Sequence, residues 1–130
     1  MDARTSVRRV CCKPVWPTTP RDFIACTTWC DLSDGSALVC SRSAPDTVLA
    51  PQKGYVRGFL NVSGYHIQPR ASLSPSDPYF AKCPVDGCKV TLTAHTELGG
   101  NLPSSVINML STTAPIKILT AINSITAIKR

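Results

Sequence analysis

The first ten residues, "MDARTSVRRV", hold no hydrophobic stretch of the kind a secretory signal needs. No window reaches ~18 uninterrupted apolar residues, the length wanted for a spanning helix, so the sequence reads as a soluble chain. Acids are missing from Leu98 to Arg130, where Lys117, Lys129 and Arg130 are the only charges. Clustered cations are scarce as well. Arg8–Arg9 is the only adjacent arginine pair and no nucleic-acid motif frames it, so nucleic acid is set aside as a partner. There is no nucleophile elbow and no glycine-rich oxyanion loop, so the cysteines and histidines lack the setting for nucleophilic catalysis. Cys83 and Cys88 in "CPVDGC" have no second pair at ordinary zinc-knuckle spacing. We expect no enzyme activity, no catalytic residue, no metal site and no cofactor.

What is present describes a globular chain. Its 130 residues are 43% hydrophobic and 17% charged, enough for one core. A net charge of +6 fits an anionic partner. Because the cation excess follows the apolar C-terminal end, a membrane surface suits it better than nucleic acid, each nearby cation contributing about 1 kcal/mol. Seven cysteines, odd in number and irregularly spaced, read as reduced thiols. The expected location is cytoplasmic, with transient membrane association.

Eleven prolines mark loops between apolar runs. A strand is predicted over 6–13. A hairpin follows, with strands at 22–32 and 37–43 around Ser33-Asp34-Gly35-Ser36, since Asp-Gly is a strong turn signal. "GYVRGFLNVSGYHIQP" reads as one long strand, bent or bulged at Gly58 and Gly64. Residues 70–87 read as a loop, and "CKVTLTAHTEL" at 88–98 alternates as the last strand. Trp16 and Trp29 are expected in the core or at its rim.

"GGNLPSSVINML" then opens a helix, with Pro103 in the first turn, where its missing N–H costs nothing. Ile107, Leu110, Ala114, Ile118, Ala121, Ile125 and Ile128 recur at three-or-four spacing, widened by Val106, Leu119 and Ile122. Pro115 is expected to kink the helix. The order is strands, then one long helix, an α+β layout with an unprotected sheet edge.

Tyr55, Arg57, Phe59 and Asn61 share one face if "GYVRGFLN" is a continuous strand. Arg57 on such a strand is either an outward, solvated cation or a cavity residue. In a cavity it needs a carboxylate, a lipid headgroup or ordered water. Together the four suit a mostly apolar pocket with a few polar anchors.

The order of the pieces resembles the C-terminal portion of a START (StAR-related lipid-transfer) domain. The resemblance rests on "KPVWPTTPRDF", "WCDLSDGSALVCSRS", "PQKGYVRGFLNVSGYHIQP" and "CKVTLTAHTELGGNLPSSVINML", followed by the final helix. It implies a helix-grip fold, a curved antiparallel sheet packed against the long C-terminal helix around a tunnel for one lipid. Residues 1–130 would form a partial domain, with strands over about 6–98 and the helix over about 103–128. The N-terminal part of the fold would be missing. Lipid binding, with possible intracellular transfer, is then the expected function, and a sterol, phospholipid or sphingolipid the expected ligand. Tyr55, Arg57, Phe59, Asn61, Asn108, Met109 and Thr112 are its candidate contacts, with Arg57 anchoring a headgroup and Asn108 hydrogen-bonding near the tunnel end. The alternative is a non-catalytic interaction domain that binds no lipid and self-associates through the exposed sheet edge.

Overall fold

The computed structural model describes residues 3–14 and 16–128, the side chains of 126–128 excepted. Lys129, Arg130 and the side chain of Ile128 lie outside the described residues. The chain forms two compact units, Met1–Leu98 and Gly99–Arg130.

The first unit carries strands β1 (Thr5–Cys12), β2 (Arg21–Asp31), β3 (Ala37–Ser43), β4 (Val56–Arg57), β5 (Phe59–Leu60), β6 (Ser63–Pro69), β7 (Cys88–Thr93) and β8 (Thr96–Glu97). The main sheet runs β1-β2-β3-β6-β7, each neighbour antiparallel to the next. Beyond the Ala25↔Ser43 pair β3 leaves β2, and β4 takes its side. There it pairs in parallel, Arg21 against Val56 and Asp22 against Arg57, one parallel pair in an otherwise antiparallel sheet.

The β2–β3 hairpin closes where the Asp-Gly signal places it. Gly35 has φ +80°, a region that excludes most side chains. The Asp34 carboxylate accepts the Ser36 N–H at 2.9 Å, and Leu32 donates to the Ser36 carbonyl.

The single long strand expected over 54–69 is instead three short ones, β4, β5 and β6. A Cβ at Gly58 would lie 2.3 Å from the Phe23 ring, and its N–H donates to the Asp22 carbonyl, so the chain turns a corner against β2. At Gly64 a Cβ would lie 1.9 Å from the Val39 carbonyl oxygen, so β6 approaches β3 more closely than any side chain allows. The last strand also breaks, at Ala94-His95, and β8 pairs with β5.

The core lies along β2, where Phe23, Ile24 and Ala25 are buried. Leu73 and Cys83, within the 70–87 loop, are buried as well. That loop is held by the 2.8 Å Lys89–Asp77 ion pair and by Arg70 over the Phe80 ring. Trp16 is 89% exposed, which corrects its expected place in the core; Trp29 is half-exposed under the Arg4 guanidinium.

The second unit opens at Gly99 and Gly100, both at positive φ, and continues as α1 (Ser104–Ile128). The Pro103 carbonyl accepts from Val106 and Ile107, so Pro103 stands just ahead of the first turn. Helical structure runs through Pro115. By length and composition Ser104–Ile125, with mean hydropathy 1.3, is sufficient to cross a membrane.

Candidate ligand site

Strand register sorts the side chains of the main sheet onto two faces. One carries Phe23. On it Trp29, Val39, Tyr65 and Leu92 stand directly opposite one another across β2, β3, β6 and β7, an unbroken apolar row. The neighbouring row adds Ala37, Ile67 and Val90, with Asp31 at its β2 end. Val90 and Leu92 therefore belong to the apolar face, and Thr91 and Thr93 to the other. Along the opposite face Thr28, Cys40, Gly64 and Thr93 make the corresponding row, which is small and mostly polar.

The Phe23 face changes character along the strands. Next to the aromatic row lie Thr27, Ser41 and Ser63, with the Thr27 and Ser41 hydroxyls 2.8 Å apart. Ser43 follows, accepting the Leu60 N–H, and then the corner at Gly58. From the Asp31 row to the Phe23 row is eight residues, about 26 Å at the usual rise. One end of the face is mostly apolar, with Asp31 at its tip, and the middle carries hydroxyls; behind Phe23, on the opposite face, lies a charged cluster.

That cluster is built on Asp22, fully buried at the start of β2. Arg57 holds it with two parallel bonds, Nε to Oδ1 and Nη2 to Oδ2, both 2.9 Å. Arg9 Nε lies 3.5 Å from Oδ2. The Arg57 hydrogen bonds, chiefly, hold the Asp22 carboxyl below its ordinary value although burial opposes them. The same bonds raise the Arg57 guanidinium. Arg57 Nη1 also donates to Asp46 and to the Leu49 carbonyl, and Arg9 donates to the Ala50 carbonyl at 2.6 Å. The 44–55 loop is thus tied to the cluster.

Beside it lies a cavity of about 310 Å³ lined by residues 43–46 and 57–59. Its walls include the Asp46–Arg57 pair and the half-exposed Phe59 ring. That volume is near the lower end for small-ligand pockets, and the cavity is half open to solvent.

Of the sequence-predicted residues, Arg57 and Phe59 meet at this cavity. Arg57 is not an outward, solvated cation: its side chain is 15% exposed, and of the three partners it required the structure supplies carboxylates. The shared face of Tyr55, Arg57, Phe59 and Asn61 is corrected, because the chain turns at Gly58. Tyr55 closes the loop through its N–H to the Gln52 carbonyl, and Asn61 joins β5 to β8 by donating to Glu97 at 2.8 Å. Asn108, Met109 and Thr112 lie within one turn of α1, where the Thr112 hydroxyl donates back to the Asn108 carbonyl. Asp22, Asp46 and Ser43 were missed. A lone acid inside "DFIAC" is the signal that marks Asp22; Asp46 has none.

His66 contacts Ser36, which also bonds Asp34, yet this is not a nucleophile assembly. The Ser36 hydroxyl, buried, donates to the Asp34 carboxylate at 2.6 Å, and that bond chiefly lowers the Asp34 carboxyl. His66 Nε2 at 3.1 Å must then donate to the hydroxyl, so the imidazole is not placed as its base. Cys83 is buried in the loop, and Cys88 exposed at the head of β7.

The family model described as START domain matches residues 3–121. Compared with curated protein sequences, the chain has no significant match. Among solved structures it is similar to human STARD10, with TM-score 0.69 and 23% identity over 90% of this chain and 42% of that one. Human StAR-related lipid transfer protein 5 gives 0.63 and 24%, over 83% and 47%. The lipid transfer and protein localization domain of human StarD13 (DLC2) gives 0.61 and 25%, over 80% and 46%. The chain spans less than half the length of each. These likenesses show the expected fold class, an α+β, START-like helix-grip fold of curved antiparallel sheet and C-terminal helix.

Proposed function

Because the chain belongs to the START domain family, a family generally of lipid-binding and lipid-transfer domains, we propose that it binds one amphipathic lipid and carries it between membranes without chemical change. The observation that carries this is the Trp29–Val39–Tyr65–Leu92 row, apolar across four strands and followed along the same face by hydroxyls. An acyl chain or sterol body against that row gains about 25 cal/mol for each Å² it withdraws from water. Its polar end is then directed toward Thr27, Ser41 and Ser43, the last of which also lines the cavity. On α1, Asn108, Met109 and Thr112 are the proposed ligand contacts. Two solved relatives carry lipid transfer in their names, which supports the reading.

Loading and release take place at an anionic membrane surface, and the protein works in the cytoplasm. The net charge of +6 and the exposed Trp16 support contact with such a surface. The test is native mass spectrometry of the purified chain after incubation with vesicles of mixed phospholipid, sphingolipid and sterol. One lipid mass per folded monomer is the expected result. A folded chain that carries none overturns the proposal.

A further inference from the structure

Among the described residues the free side of β1 is a regular sheet edge that pairs with no other strand. All eight of its residues pair with β2 in unbroken register, with no proline and no bulge. The Trp29 N–H donates to the Arg4 carbonyl, opposite it by that register, so residues 4, 6, 8, 10 and 12 turn their backbone groups toward β2. Thr5, Val7, Arg9 and Cys11 therefore direct theirs away from the sheet. Among the described residues none of these N–H or C=O groups is bonded. Proteins rarely leave such a row open without some device to guard it.

Here the device is charge, and it selects. Residues 3–14 hold Arg4, Arg8, Arg9 and Lys13 and no acid. Arg4 and Arg9 are paired with Asp31 and Asp22, but a second copy pairing antiparallel about Arg8 sets Arg8 against its own copy, which is destabilising. Arg9 is engaged with the 44–55 loop, whereas Arg8 is exposed and makes no ion pair among the described residues. Val10, two residues on and on the same face as Arg8, is also exposed.

We propose that β1 is a docking edge for an extended, acidic segment of a partner protein, added as an antiparallel strand. The backbone groups of Thr5, Val7, Arg9 and Cys11 supply the ladder. An antiparallel strand bonded to those four places its other residues opposite Ser6, Arg8 and Val10, in the close pairs where side chains meet most directly. An acid opposite Arg8 then follows, two residues later, an apolar residue opposite Val10. The partner motif is apolar-x-Asp/Glu within a β-prone stretch, the strand-addition mode of peptide recognition.

The experiment uses the whole chain and a fluorescein-labelled, eight-residue Ser/Thr-rich peptide carrying Val-Thr-Glu at its centre, read by anisotropy. The expected result is saturable binding, weakened at least tenfold when Lys replaces the Glu, with the preference reversed by Arg8→Glu. Val7→Pro removes one outward N–H and no β1–β2 bond, and is expected to weaken binding about tenfold with an unchanged circular-dichroism spectrum. Hydrogen exchange should slow at Thr5, Val7, Arg9 and Cys11 when peptide is added. Equal binding of the Glu and Lys peptides, or slowing confined to other residues, overturns the proposal. So does concentration-dependent protection of the same four amides without peptide, because a second copy then occupies the edge.

Discussion

Arg57 and Asp22, 35 residues apart in sequence, are joined by two parallel hydrogen bonds of 2.9 Å at a point where the carboxylate is out of contact with solvent. A pair of this kind adds little net stability when intact, yet removing Arg57 leaves the buried carboxylate without its two short bonds and with only Arg9 at 3.5 Å. Arg57→Met is therefore expected to destabilise the first unit by about 3 kcal/mol, seen as a lower urea midpoint with an unchanged slope. Asp46→Asn removes only the exposed partner of the same guanidinium and should shift the midpoint far less. Equal shifts for the two variants contradict the burial of Asp22 as the cause.

Acid sensitivity follows from the same group. Asp22, Asp34 and Asp77 are all held below the ordinary value of 3.8, by Arg57, by Ser36 and by Lys89 respectively. A carboxyl whose folded value is the lower one stabilises the fold fully above its unfolded value. It gives up that contribution as the pH falls through the lowered one. The urea midpoint is thus expected to hold level near neutrality and to fall below about pH 4. Asp77→Asn should flatten part of this fall, and an unaltered midpoint profile in that variant would remove Asp77 from the account.

Local chemistry decides some of these features, and contacts far apart in sequence decide others. The β2–β3 hairpin is legible because Asp34-Gly35 specifies its own turn, and α1 because its apolar period and Pro103 are local signals. Where the 54–69 stretch breaks was hidden. Gly58 is needed by the Phe23 ring and Gly64 by the Val39 carbonyl, contacts that periodicity does not register. Arg57 drew attention as a cation in an apolar strand, but its partners lie 35 and 11 residues away. The apolar row needed the register itself, since alternation in β7 shows that two faces differ without telling which face of β3 each one joins.

Three glycines should therefore differ in what alanine does to them. At Gly35 there is open space, and only the positive φ is strained, so Gly35→Ala is expected to cost about 1 kcal/mol. Gly58→Ala pushes against the Phe23 ring, a core side chain with little room, at about 1–3 kcal/mol. Gly64→Ala meets backbone, which has no rotamer to change, and should separate β3 from β6 or prevent folding. Thermal unfolding of the three variants gives the order directly, and a Gly64→Ala protein as stable as Gly35→Ala contradicts the close approach of β6.

The apolar row offers a way to separate lipid capture from folding. Val39 stands between Trp29 and Tyr65, and Val39→Thr keeps its shape while placing a hydroxyl in the middle of the row. In contact with an acyl chain that hydroxyl finds no partner on the ligand, a loss of about 1–3 kcal/mol. Lipid retention is expected to fall about tenfold, since each ~1.4 kcal/mol is a factor of ten. Thr91, one residue from Leu92 but on the opposite face and exposed, is the matched control, and Thr91→Val should leave retention unchanged. Competition between a fluorescent phospholipid and unlabelled vesicles reads both variants against the parent chain. If Thr91→Val weakens retention and Val39→Thr does not, the lipid lies on the other face of the sheet, and the hydroxyl row at Thr27 and Ser41 has no part in holding its polar end.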